Sequence, residues 1–419
     1  MPENKEFDLF EHVKSNVIKG LEFADFERFL DKIWENRPQD GFFYGNEKEK
    51  VSTKQRFFKL NYKDQTITPR NYVGTVIFKD FTFNVYPKVF DKPDKKLFAE
   101  NLLYWLSYID RFKFPRFESD QKRSSSDMLD VFIWLFSTYT LETLYASPYQ
   151  QYEEVTEETS AIKGKLEFGD YIKNIAKGMW HKPVCSFSSF EYDNVFNQVV
   201  KATCQMLLQL QSLKETNRKT LDEIVFLLDD VTDTCVTSSD CDKIVLNPMF
   251  SHLKPIVEYC RLFLSSAIHS TDSGKLSLFA FLVPMEKIYE EFLLGFIKEH
   301  VNSKAGAKNG KLDENGIYKI KKDIEIPDSC IIDAKYKIPK NFKPAQSDMY
   351  QMIAYSIRSK IDRVLLIYPE KNQERTKSFE IKDEFADKII KIKAATVPFA
   401  SQSNPEMLKA RLKFLIISL

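Results

Sequence analysis

Between residues 55 and 90 apolar and polar positions alternate: RFFKLNY, NYVGTVIF and FTFNVYPKVF, with Lys79-Asp80 as a turn between the last two. A period of two predicts strands, here a β-meander or small barrel. Ahead of them, FDLFEHVKSNVI and FADFERFLDKIW carry the spacing of short amphipathic helices. From about 96 to 150 the period becomes helical: LFAENLLYWLSYI and SDMLDVFIWLFSTYTLETLY place apolar residues at i, i+3 and i+4, and Ser126 before Asp127 predicts an N-cap. QYEEVTEETSAIKGKLEF is polar, with a turn at Gly164. NVFNQVVKATCQMLLQLQS, opened by Asp193 and Asn194, and PIVEYCRLFLSSAIHS then read as long helices.

The pattern changes again near 280. PMEKIYEEFLLGFIKEH opens a helix at Pro284, NSKAGAKNGK reads as a basic loop, and IYKIKKDIEI and CIIDAKYKI are strands around a Pro327-Asp328-Ser329 turn. SDMYQMIAYSIRSK is a helix capped by Ser347, followed by the buried strand DRVLLIYP. Three segments result: a β-rich N-terminal module (1–95), a mainly helical middle region (96–280) and an α/β C-terminal domain (281–419). No internal repeat is visible.

Composition narrows the classes. Lys+Arg is 61 and Asp+Glu is 60, which excludes a globally basic DNA-coating protein. The charge is unevenly spread: residues 281–419 carry about 25 basic and 19 acidic side chains, and the first 280 a small acidic excess, a division that fits nucleic acid binding by the C-terminal part. An ordinary solvated Lys/Glu surface is the alternative. The opening MPENKEFDLF lacks the apolar segment of a signal peptide, and LSLFAFLVPM (276–285) is too short for a membrane span, so a cytoplasmic protein without a membrane is expected. Six cysteines without a CxxC pair and five histidines without HxxxH or HxH spacing argue against zinc and against a disulfide scaffold. No GxxxxGK[ST] loop is present, so the chain itself is expected to bind no nucleotide.

The segment that carries chemistry is KKDIEIPDSCIIDAKYK (321–337). Side chains alternate along a strand, so Asp333 and Lys335 share a face, and the hairpin brings Asp323 to them. Two carboxylates and a lysine suit a hard, oxygen-liganded cation such as Mg²⁺ (or Mn²⁺), with the lysine orienting water or neutralising a phosphorane. This is the requirement behind the PD-(D/E)xK nuclease signature. The tripeptide alone is commonplace, and Glu380-Ile381-Lys382 is another example. Its context is not: Asp333 follows Cys330-Ile331-Ile332, and a charge entering an apolar strand needs a partner or a task. Glu290 flanks the apolar stripe Met285, Tyr289, Phe292 and Phe296, and is either a third metal-binding carboxylate or half of a surface pair. Gln351 and Tyr355, spaced i, i+4, either support the lysine, a water or a phosphate, or form part of an ordinary core.

Over some 300 residues the chain resembles the McrC family, the nuclease subunits of McrBC-type restriction systems. YVGTVIFKDFTFNVYPKVF looks like the family's Tyr-Val-Gly strand and Pro-Lys strand end. IKGKLEFGDYI followed by FEYDNVFNQVVKATCQMLL is similar to its central signature, LVPMEKIYEEFL to the helix opening its nuclease domain, and KKDIEI, IIDAKYK and DMYQMIAYS to its catalytic segments in order. Lys322 replaces the usual Pro before the first catalytic Asp, and Lys165 stands where Arg is common. The resemblance implies a PD-(D/E)xK restriction-endonuclease-like domain that cleaves double-stranded DNA in anti-phage defence. It implies a partner, an AAA+ GTPase hexamer of the McrB type, which the N-terminal two-thirds would dock onto and stimulate. Asp323 and Asp333 would ligate Mg²⁺, with the Ala334 carbonyl as a further ligand and Glu290 assisting; Lys335 would activate or position water, supported by Gln351 and Tyr355. Two other readings stand beside this one: a non-catalytic activator of a GTPase ring, and a stand-alone DNA repair nuclease.

Overall fold

The computed structural model describes residues 5–35, 54–92, 94–110, 128–210, 213–267, 278–311, 317, 319–339, 342–370, 373–383, 388–400 and 405–419. The chain divides into two compact units. One combines the N-terminal 131 residues with residues from 277 to the C-terminus; the other is built mainly from residues 132–265.

The first unit begins with β1 (Lys5–Phe10) and α1 (Phe23–Glu35), continues through β2 (Phe58–Asn61), β3 (Thr66–Pro69), β4 (Tyr72–Phe78) and β5 (Phe81–Tyr86), and reaches α2 (Lys95–Leu106). FDLFEHVKSNVI, expected as a helix, supplies β1 instead. Its first residues pair in parallel with β5, Phe7 opposite Phe83 and Leu9 opposite Val85, and that long-range pairing overrides the helical spacing. FADFERFLDKIW does form α1, burying Phe26, Leu30 and Ile33. β4 and β5 form the expected hairpin, with Lys79 left-handed in its turn (φ 53°). The sheet is neither a meander nor a barrel. Its order is β1-β5-β4 and then Leu278–Pro284, a strand arriving from far along the chain, while β2 and β3 pair separately.

That fourth strand lies across the boundary read near 280 and explains Gly74. Phe281 opposes Thr75 in the antiparallel pair, and a Cβ on Gly74 would sit 2.0 Å from the Phe281 carbonyl oxygen, at φ +141°. Only glycine tolerates both conditions. Gly74→Ala is expected to destabilise the chain by about 3 kcal/mol or more, read as a lower urea midpoint.

The second unit holds most of α3 (Met128–Ala146), then β6 (Gln151–Glu158), β7 (Lys165–Leu166), α4 (Phe168–Ala176), β8 (Val184–Glu191), α5 (Val195–Leu208), α6 (Glu215–Leu227) and α7 (Lys254–Ser266). The expected N-cap at Ser126 lies outside the described residues. Asn194 caps α5, its side chain accepting from Asn197 N–H. The middle region is not only helical: β6, β8 and β7 make an antiparallel sheet in which QYEEVTEE pairs along its whole length with VCSFSSFE. Gly164 (φ +64°) turns the chain into β7, where a Cβ would meet the Ser186 carbonyl at 2.5 Å.

Back in the first unit come β9 (Leu278–Pro284), α8 (Met285–His300), β10 (Gly306–Lys311), β11 (Lys319–Ile326), β12 (Cys330–Ala334), α9 (Gln346–Ser359), β13 (Arg363–Pro369), β14 (Thr376–Asp383), β15 (Lys388–Val397) and α10 (Pro405–Ile417). Six strands form one sheet, in the order β10-β11-β12-β13-β15-β14. β12, β13 and β15 run parallel, and β10, β11 and β14 join antiparallel. Ile331, Val364 and Leu366 pack under Met352 and Tyr355 of α9, while alternation sends Ile332, Leu365 and Ile367 to the opposite face, where they are equally buried. Two local readings change. GAKNGK, expected as a loop, is the edge strand β10, and α9 starts after Ala345 with no side-chain cap, so Ser347 lies inside the helix. Among the described residues no helix is long and apolar enough to cross a membrane.

Candidate active site

β11 and β12 meet in a tight hairpin that puts Ile324 opposite Ile332, with Asp323 and Asp333 one step further along the ladder. On its other side β11 is irregular. Gly306 pairs with Glu325 but Lys308 pairs with Lys322, so β11 carries one extra residue between Lys322 and Glu325. This bulge puts Lys322 and Glu325 on one face, where they form an ion pair, and re-aims Asp323 toward β12. Lys322 is buried and also donates to Ser359 Oγ of α9 at 2.7 Å. Where proline would stiffen the strand, this chain ties the bulge to a helix.

The expected side chains largely converge. Asp323 Oδ2 accepts the Ala334 N–H at 2.9 Å. Lys335 Nζ lies 2.7 Å from Asp333 Oδ2 and donates to Gln351 Oε1 at 3.1 Å. Gln351 Nε2 donates to the Tyr355 hydroxyl at 2.5 Å, and that hydroxyl donates to the Lys321 carbonyl at 2.6 Å. Gln351 and Tyr355 therefore form a relay from the lysine back to β11. Glu290 lies close enough to feel the charge of Asp323, and Lys287, one helical turn earlier, pairs with its Oε2 at 2.6 Å.

Asp333 is 1% exposed; its Oδ2 is held by Lys335 at 2.7 Å, and its Oδ1 is buried without a hydrogen-bond partner. The hydroxyls of Tyr289 and Tyr368 are likewise buried without a hydrogen-bond partner, and Tyr368 feels the charge of Asp333. Burial, then the neighbouring Asp333 charge, push the Asp323 carboxyl up to about 6. Burial, then Asp323, push Glu290 up to about 7. Burial raises Asp333 as well, against the pull of Lys335. For Lys335 burial works downward, but the charges of Asp333, Asp323 and Asp348 outweigh it and hold the ammonium above its ordinary value. Lys287 is raised by the same balance, with Glu290 and Asp323 as its acids.

The arrangement is thus an acidic cluster of Asp323, Asp333 and Glu290 partly offset by two internal lysines, Lys335 and Lys287. Among the described residues no three carboxylate, imidazole or thiol groups stand as placed in coordinating geometry. The donor set still suits a hard cation. Asp323, Asp333 and Glu290 outnumber Lys335 and Lys287, burial pushes all three carboxyls upward with their mutual charge adding to it, and Asp333 Oδ1 is buried without a partner. Lys287, the Tyr368 hydroxyl and the β11 bulge were not anticipated. Lys287 had one available signal, its i, i+3 spacing to Glu290; the bulge had none.

A family model described as McrBC 5-methylcytosine restriction system component matches residues 67–369. The type IV methyl-directed restriction enzyme EcoKMcrBC of Escherichia coli K12 is 21% identical over 250 residues, covering 56% of this chain and 71% of that protein. A solved half-complex from a tetradecameric assembly of Thermococcus gammatolerans McrB AAA+ hexamers with bound McrC is similar in fold, with a TM-score of 0.68 at 17% identity over 98% of this chain and 100% of the other. A cryo-EM structure of the Thermococcus gammatolerans McrBC complex matches with a TM-score of 0.52 at 17% identity, over 71% of this chain and 88% of that one.

Proposed function

This chain belongs to the McrBC 5-methylcytosine restriction system component family, and from that premise we propose that it is the DNA-cleaving, McrC-type subunit of a cytoplasmic restriction system. One observation carries the catalytic part: Asp333, fully buried on a core strand, is paired with Lys335 through Oδ2, keeps Oδ1 without a hydrogen-bond partner, and lies beside Asp323. A protein gains nothing in stability from that arrangement. It gains a place for a cation and a phosphate. The mixed sheet with Asp323, Asp333 and Lys335 on adjacent strands supports the reading of residues 281–419 as a PD-(D/E)xK nuclease domain.

Asp323 and Asp333 would hold Mg²⁺ or Mn²⁺, with the Ala334 carbonyl as a further ligand and Glu290 assisting. Bound there, the cation supplies Lewis acidity to the scissile phosphate and makes water a better nucleophile at neutral pH. Lys335, beside Asp333 and Asp323, would activate or orient water and offset phosphoryl charge. Gln351 accepts one ammonium hydrogen and fixes its direction, and Tyr355 fixes Gln351. The other segments would dock on an AAA+ GTPase hexamer of the McrB type and stimulate it.

The test is double-stranded DNA cleavage by the chain combined with such a motor, GTP and Mg²⁺. Cutting that needs all three is expected. Efficient cutting by the chain alone would leave a stand-alone nuclease. Motor stimulation with no cutting under any divalent cation would leave an activator.

A further inference from the structure

The Tyr86-Pro87-Lys88 strand end is a motif that the proposed chemistry leaves unused. In the first unit it reaches the residue next to Lys335. Lys88 Nζ donates to the Tyr336 carbonyl at 2.8 Å and lies 3.9 Å from the centre of the Tyr336 ring. The Tyr336 hydroxyl donates to Glu11 Oε2 at 2.8 Å, and the same oxygen accepts the Lys88 N–H at 3.0 Å. Glu11 sits just past the end of β1, where its N–H donates to the Tyr86 carbonyl and His12 turns left-handed (φ 63°). The ends of β1 and β5 thus grip Tyr336 by its hydroxyl, its ring and its carbonyl. Glu286 and Lys337 supply the remaining nearby charge.

The grip falls where the sheet stops. The pairing of β12 with β13 ends at Ala334, and beyond it the Lys335 N–H to the Ile367 carbonyl, 2.8 Å, is the last link between these strands. Lys337 N–H closes a tight turn on the Lys335 carbonyl at 2.7 Å. Lys335 therefore lies on a short segment held by β13 on one side and by Glu11 and Lys88 on the other. Glu11 is 1% exposed, and its Oε1 has no hydrogen-bond partner. Packing alone would be better served by an apolar residue.

We propose that Glu11 and Lys88 are positioning residues that fix the Tyr336 peptide and thereby aim the Lys335 ammonium at Asp333. The proposal rests on the catalytic reading of Lys335 given above. It also assigns the Pro-Lys strand end a task at a site some 250 residues further along the chain.

The full chain is compared with Lys88→Met, Lys88→Arg and Tyr336→Phe by amide hydrogen exchange, thermal unfolding and, with motor and GTP, steady-state DNA cleavage. In Lys88→Met, exchange at residues 335–337 is expected to rise and kcat to fall about 10²-fold, with KM for DNA and motor stimulation unchanged; Tm is expected to fall as well, because Glu11 loses its cation. Lys88→Arg is expected to recover most of the rate, because a guanidinium still reaches the carbonyl and covers the ring. Unchanged exchange at 335–337 in both Lys88→Met and Tyr336→Phe would overturn the proposal, as would a rate loss carried by KM or a rate that Lys88→Arg does not recover. Should Lys88→Met fail to fold, Tyr336→Phe, which removes one oxygen, carries the test. If wild-type protein does not cut, the catalytic reading fails, while the exchange measurement still decides whether the grip exists.

Discussion

Replacing Asp333 with asparagine is expected to lower DNA cleavage by about 10³-fold or more while raising the Tm of the metal-free chain. The two effects have one cause. Asp333 is buried, and burial pushes its carboxyl upward, with Glu290 and Asp348 adding to the push and Lys335, 2.7 Å away, pulling against it without cancelling it. Its charge therefore opposes folding, and a neutral isostere relieves it. For cleavage the same charge is indispensable, because an amide oxygen cannot replace a carboxylate in holding a cation against a phosphate; about 4 kcal/mol of lost transition-state stabilisation gives the stated factor. Stimulation of the motor should persist. The informative combination is lost cutting, kept stimulation and a higher Tm. Equal cutting by wild type and variant would remove Asp333 from the chemistry, and a lower Tm would show that Lys335 already satisfies the carboxylate.

How much of this site can be read from sequence follows from the distances involved. Asp323, Asp333 and Lys335 lie on one hairpin, and a period of two suffices to bring them together. Gln351 and Tyr355 share a helix face at i, i+4, and the structure adds only that the lysine sits at the end of their relay. Contacts made across the chain leave no such trace. Glu11 meets Tyr336 over 325 positions, and β1 is a strand because β5 lies beside it, not because its own residues favour one. The β11 bulge depends on a register mismatch with β10, a segment whose Gly-Ala-Lys-Asn-Gly-Lys composition resembles a loop. Likewise β9 completes the N-terminal sheet, so a boundary drawn where the pattern changes passes through a strand. Gly74 belonged to a recognisable motif, but only the Phe281 carbonyl behind it explains why glycine is required.

Raising the pH should weaken the metal-free chain, and Mg²⁺ should then restore more stability at pH 8 than at pH 5.5. Glu290 titrates near 7 in the folded chain against an ordinary 4.5, and Asp323 near 6 against 3.8. Between each pair of values the folded state binds more protons than the unfolded one, so stability is lost as pH rises through the window from about 4 to 7. Glu11, pushed by burial to about 7, adds to the same slope from outside the site. A cation would compete with the protons on Asp323, Asp333 and Glu290, whereas the Glu11 carboxylate accepts from the Tyr336 hydroxyl and the Lys88 N–H. Thermal unfolding of the full chain with EDTA or Mg²⁺, at both pH values, separates the contributions. A Mg²⁺-dependent rise in Tm that grows with pH, and that disappears in Asp333→Asn, ties the acidic cluster to the metal. A rise independent of pH, or one that survives Asp333→Asn, would place cation binding elsewhere and leave the buried carboxylates without the role assigned to them. The Glu11→Gln variant should flatten the slope in EDTA without altering the Mg²⁺ increment, because its carboxyl serves Tyr336 and not the cation.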